Sequence, residues 1–65
     1  MTPSQFKDAR NMLNLSQVEL ANIWSMGKNG SRNIRRWEAG DIPVNPIAAF
    51  AIELMVEDET WSAHS

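Results

Sequence analysis

The chain has no cysteine. That removes a disulfide framework and any thiolate zinc site, and it suits a reducing compartment. Its one histidine, His64, has no second ligand candidate at metal spacing. No apolar run approaches the roughly 18–20 residues that a membrane-spanning helix needs. The opening MTPSQFKDAR lacks the apolar stretch of a secretory signal. No segment alternates with a period of two, and there are no repeats, low-complexity tracts or linkers. No basic residue follows Arg36: residues 41–65 hold five acids and no Lys or Arg. These absences predict a cytoplasmic all-α protein with no metal, no cofactor and no membrane partner.

What is present fits one small domain: 65 residues, 43% of them hydrophobic. The formal net charge of −2 hides an uneven distribution. Residues 1–40 carry all six basic residues against three acids, so the acidic total describes the C-terminal third. Salt screens beyond about 8–10 Å, so the local charge matters more than the sum.

Helix signals are frequent. Thr2, Pro3 and Gln5 make a capped start with proline at the first helical position. Phe6, Ala9 and Leu13, with Met12 beside them, form an apolar face, and Asn14 suits the left-handed residue that ends the helix. Ser16 and Glu19 make a second capping box, followed by the apolar residues Val18, Leu20, Ala21, Ile23 and Trp24. Ala21 is small enough to let another helix approach, and Gly27 is a candidate stop. A turn at Lys28–Gly30 leads into a third helix from Gly30 or Ser31 to Ala39, with Gly40 just past its end. Asn29, Gly30 and Ser31 all remain candidates for its cap. The two prolines of DIPVNP exclude a regular helix there. Asn45-Pro46 then starts a last helix, in which Ile47, Phe50, Ala51, Leu54 and Met55 follow the amphipathic spacing. The expected architecture is a compact domain of four to five helices over residues 1–57, with an acidic polar tail at 58–65.

The third helix carries the functional signal. At about 100° per residue, Ile34 and Trp37 share the core side and Arg32 and Arg36 lie opposite, one turn apart. Asn33 and Arg35 flank them, and Lys28 and Asn29 stand at the entrance. Arginine can bond the O6/N7 edge of guanine in bidentate fashion, and asparagine the N6/N7 edge of adenine. A solvated helix face is the plainer reading, but its basic residues have no interleaved acid before Glu38, and like charges one turn apart repel. The start of the second helix, at Ser16 and Gln17, offers backbone N–H groups and an amide to a phosphate.

The stretch LNLSQVELANIW, a turn and then NIRRWEAG resembles the Cro/phage-repressor (Xre-like) helix-turn-helix family, over roughly residues 3 to 56. The closing DIPVNPIAAFAIELM is similar to a subset of small phage and prophage regulators. The resemblance implies a lambda-repressor-like fold. It implies base reading by Ser31, Arg32, Asn33 and Arg36, and a phosphate contact by Gln17. It also implies an ion pair between Arg10 and Glu38, which would explain a lone acid in a basic segment. Ser16, Lys28, Asn29 and Arg35 complete the expected phosphate contacts. Ala21 and Trp37 are 16 residues apart, nearly one helical turn more than the resemblance implies. The surplus falls in SMGKNG and either lengthens the second helix or enlarges the loop.

The expected function is a transcription regulator, a dimeric (auto)repressor that binds a palindromic operator in double-stranded DNA. An anti-CRISPR-associated or similar prophage autorepressor is one subtype. The expected dimer surface is the last helix and tail, through Ile47, Phe50, Leu54 and Trp61. No small-molecule effector and no enzyme activity are expected. The alternative is a protein-interaction module, such as an antitoxin or a phage factor that binds a host protein.

Overall fold

A computed structural model describes residues 1–58, and among these the structure is all-helical. The elements are α1 (Pro3–Met12), α2 (Gln17–Ile23), α3 (Gly30–Ala39) and α4 (Pro46–Glu57). α3 packs against both α1 and α2, and α4 packs against α1.

Local chemistry sets the helix starts. The Thr2 hydroxyl accepts from the backbone N–H of Gln5 at 3.1 Å, while the Gln5 side chain accepts from the Thr2 N–H at 2.9 Å. Ser16 and Glu19 repeat this reciprocal pair at 3.0 and 2.8 Å. At α4 the Asn45 side chain accepts from the Ile47 N–H at 2.8 Å, with Pro46 at the first helical position. Each of these groups satisfies an N–H that the helix itself leaves unpaired. α3 starts differently. Asn29 occupies its cap position without a side-chain cap bond.

Each helix contributes one fully buried large side chain to the centre: Phe6, Leu20, Ile34 and Ile52. Trp37 is buried beside them, and the Phe6 ring meets the Trp37 and Trp24 rings edge-on, with centroids 5.6 and 6.3 Å apart. Such pairs contribute about 0.5–1.5 kcal/mol each beyond area burial. Ile42 and Val44, from the proline-rich connection, pack onto this cluster.

The structure corrects several sequence expectations. Met12 is 66% exposed and Val18 57% exposed, so neither belongs to the core. Helix spacing placed Met12 beside the apolar face, but only the side of α1 that meets α3 and α4 is covered. The surplus between Ala21 and Trp37 goes into the loop: α2 stops at Ile23, Trp24 caps it, and Ser25 and Gly27 take positive φ values of 54° and 82°. α4 buries Ala48 and Ile52, with Met55 and Val56 half-buried against the core. Ile47, Phe50 and Leu54, part of the amphipathic stripe and the residues expected at the dimer surface, face outward, at 79%, 63% and 49% exposure. Residues 59–65, with Trp61 and most of the expected tail, lie outside the described residues.

Candidate nucleic-acid interface

α3 separates core from surface along its length. Ile34 and Trp37 are buried, while Arg32, Asn33, Arg35 and Arg36 are exposed. Gly40 ends the helix at φ 83°, a left-handed conformation that glycine adopts without steric cost. The N–H of Asp41 bonds back to the Arg36 carbonyl at 3.0 Å, closing the last turn.

Two shallow concavities flank the exposed face. One, of about 550 Å³, is lined by Asn29, Arg32, Asn33, Arg35, Arg36 and Asp41, together with Ala39. The other, of about 330 Å³, lies between the start of α2 and α3 and is lined by Gln17, Val18, Ser31, Arg32 and Arg35. Arg32, Arg35 and Arg36 are in no ion pair among the described residues. The three guanidiniums therefore point positive charge and a fork of N–H donors at whatever approaches.

Seven of the nine expected nucleic-acid residues line these two concavities, and Ser16 and Lys28 line neither. Ser31 is half-buried at the edge of the second, and Asn29, free of any capping bond, lines the first. Ser16 sits beside Gln17, with its hydroxyl accepting from the Glu19 N–H. Lys28 stands apart, exposed in the α2–α3 turn and lining neither concavity. The start of α2 is also less open to an anion than anticipated. The Glu19 carboxylate already bonds the Ser16 N–H there, and these bonds hold its pKa below the usual value. The backbone bond at Ser16 is the larger cause and its hydroxyl bond the second.

Beneath the face lies the Arg10–Glu38 pair. Arg10 Nε donates to Glu38 Oε2 at 2.7 Å and Nη2 to Oε1 at 2.9 Å, with side chains only 10% and 5% exposed. Arg10 Nη1 donates to the Leu15 carbonyl at 2.9 Å. The hydrogen bond from Glu38 raises the Arg10 pKa above its ordinary value, against the opposing effect of burial. Gln17 Nε2 also donates to Glu38 Oε1, at 3.2 Å. Sequence reasoning missed this last bond, because it depends on how close the start of α2 lies to the end of α3.

A further apolar groove of about 390 Å³ runs between the α2–α3 connection and α4, lined by Trp24, Met26, Trp37, Ile47, Ala48 and Ala51, with Asn45 at its edge. Its rim continues onto exposed Ile47 and thus onto the outward stripe of α4. Among the described residues no group of acids or histidines is placed to hold a metal ion, and no helix is long and apolar enough to cross a membrane.

No protein-family model matches the chain, and no solved structure matches it. It is similar to a protein described as type II methyltransferase M1.ScrFI, from Lactococcus lactis subsp. cremoris, with 54% identity over 46 residues. That alignment covers 71% of this chain and 12% of the methyltransferase, so the chain spans only a small part of that protein's length.

Proposed function

We propose that this chain is a sequence-specific DNA-binding transcription regulator of the helix-turn-helix type. It lays α3 in the major groove, with Arg32, Asn33 and Arg36 at the base edges and Ser31 beside them. Gln17, Ser16, Asn29, Arg35 and Lys28 meet the sugar-phosphate backbone. The observation that carries this reading is the division of α3. Its exposed side has three arginines and an asparagine with no acidic partner, while Ile34 and Trp37 anchor the other side in the core. A helix anchored this way presents its donors at a fixed position and angle along the groove, where they can discriminate between bases.

A single module of this size reads few base pairs, so two copies on a palindrome fit the function, with half-sites about 34–36 Å apart. The outward stripe of α4 is the surface we assign to the second copy. Repression by occupying an operator, including the regulator's own, needs no further surface.

The second reading, a module that binds another protein, is favoured by the exposed Ile47, Phe50 and Leu54 beside an apolar groove. Selection on random double-stranded DNA separates the two. The DNA reading predicts enrichment of a palindromic motif and affinity that falls steeply with salt. No enriched motif, together with salt-independent binding, would refute it.

A further inference from the structure

The Arg10–Glu38 pair does more than tie α1 to the end of α3. Glu38 Oε1 accepts two hydrogen bonds, from Arg10 Nη2 at 2.9 Å and from Gln17 Nε2 at 3.2 Å. An ionised carboxylate can only accept, so the Gln17 carboxamide must turn its NH₂ end toward it. A terminal amide left free in solvent would sample both orientations and present its oxygen to an incoming anion half the time. Here the carbonyl end is turned away from Glu38, and one N–H of the same NH₂ group remains uncommitted. Gln17 lines the concavity shared with Ser31, Arg32 and Arg35.

A carboxylate next to a phosphate seat would ordinarily repel the phosphate. Glu38 does not, because Arg10 grips both of its oxygens and the pair is together neutral. With its side chain only 5% exposed, Glu38 is also covered from solvent. It can therefore act as a fixed acceptor without showing its charge.

We propose that Glu38 is a positioning residue for phosphate recognition. It holds the Gln17 carboxamide by one N–H, so that the second N–H of the same group, with Arg35, receives one phosphodiester oxygen of the DNA backbone. This rests on the DNA-binding reading above. It adds that one backbone contact depends on a side chain that never touches DNA.

The test is phosphate-ethylation interference on the selected DNA site, with the full chain. In the wild type, ethylation of one phosphate per half-site weakens binding. In Gln17→Ala that interference disappears, and affinity falls about tenfold on every sequence. Removing Glu38 alone leaves a buried charge on Arg10, which can unfold the domain. The ion pair is therefore removed in two ways. Arg10→Met with Glu38→Leu has no acceptor for Gln17. Arg10→Met with Glu38→Gln keeps a carbonyl at that position. Neither has an ion pair, so a purely structural role predicts the same footprint for both. Positioning predicts that the Leu variant loses the phosphate contact, that the Gln variant retains it, and that adding Gln17→Ala to the Leu variant costs nothing more. The Gln17 side-chain NH₂ resonances should shift in the Leu variant and stay near their wild-type positions in the Gln variant. Equal footprints in the two variants would overturn the inference and leave the DNA reading intact. So would an unchanged footprint in Gln17→Ala, which also serves if the paired variants do not fold. Wild-type protein that selects no DNA at all would overturn both.

Discussion

Met26 and Gly30 are in such close contact that a methyl group placed on Gly30 would lie 2.5 Å from the Met26 Cβ and 3.0 Å from the Ala21 Cβ. Gly30 is itself buried at the first position of α3. The enlarged α2–α3 connection therefore folds back under the start of α3. The Met26 N–H secures it by bonding the Ala21 carbonyl at 3.0 Å.

Gly30→Ala sets helix propensity against this contact. Alanine gains up to about 1 kcal/mol in a helix interior. The clash is with atoms attached directly to the backbone, which cannot swing aside, and overpacking of this kind costs about 1–3 kcal/mol. The net effect should be lower stability in urea or thermal unfolding. Equal or higher stability would show that the connection yields freely.

Arg32→Ala and Arg36→Ala should each cost about 1–3 kcal/mol in affinity for the selected site and relax the base preference at one position. Both side chains are exposed and unpaired among the described residues, so stability should stay nearly unchanged. Electrophoretic mobility shifts on a panel of single-base variants check this. Full affinity in both variants would remove α3 as the reading helix.

Phe50→Glu and Ile47→Glu test the outward face of α4. Both positions are mostly exposed, so the fold should persist by circular dichroism. If the stripe joins two copies, sedimentation should show dimers in the wild type and monomers in the variants, with weaker binding to a full palindrome. Wild-type protein that is monomeric both free and on DNA would refute the assignment.

Acid should weaken the start of α2. The Glu19 pKa is lowered by its bonds at Ser16, so the folded state favours the ionised carboxylate. That contribution is present above the unfolded pKa of about 4.3 and is lost as pH falls through the lower folded value. Glu19→Gln keeps a capping box and should remove this part of the pH dependence. A carbon NMR titration of the Glu19 carboxyl reads the midpoint directly, and a value at or above the ordinary one would contradict the bond.

Much of the architecture is encoded within a few residues of where it appears. The Thr2, Ser16 and Asn45 caps, the left-handed Asn14 and Gly40, and the end of α3 depend on backbone groups within a few positions, so the sequence reveals them. The same holds for the inward Ile34 and Trp37 and the outward arginines, since one helical period relates them. The Arg10–Glu38 pair spans 28 residues, and it was the family resemblance rather than any local pattern that pointed to it.

The side of α4 that faces the core was a different matter. The helix is apolar over most of its circumference, broken by Glu53 and Glu57, so periodicity offers two stripes, and docking against α1 selects Ala48 and Ile52 and leaves Ile47, Phe50 and Leu54 outside. The end of α2 likewise depended on where α3 had to sit. By itself the sequence determined where α1, α2 and α4 begin and which face of α3 carries charge, because capping and helical period are local. The tertiary structure decided which apolar side chains stay exposed, that Gly30 must be small, and that Gln17 is held by Glu38. Those outcomes depend on distances between segments far apart in the chain, which are set only when the helices pack.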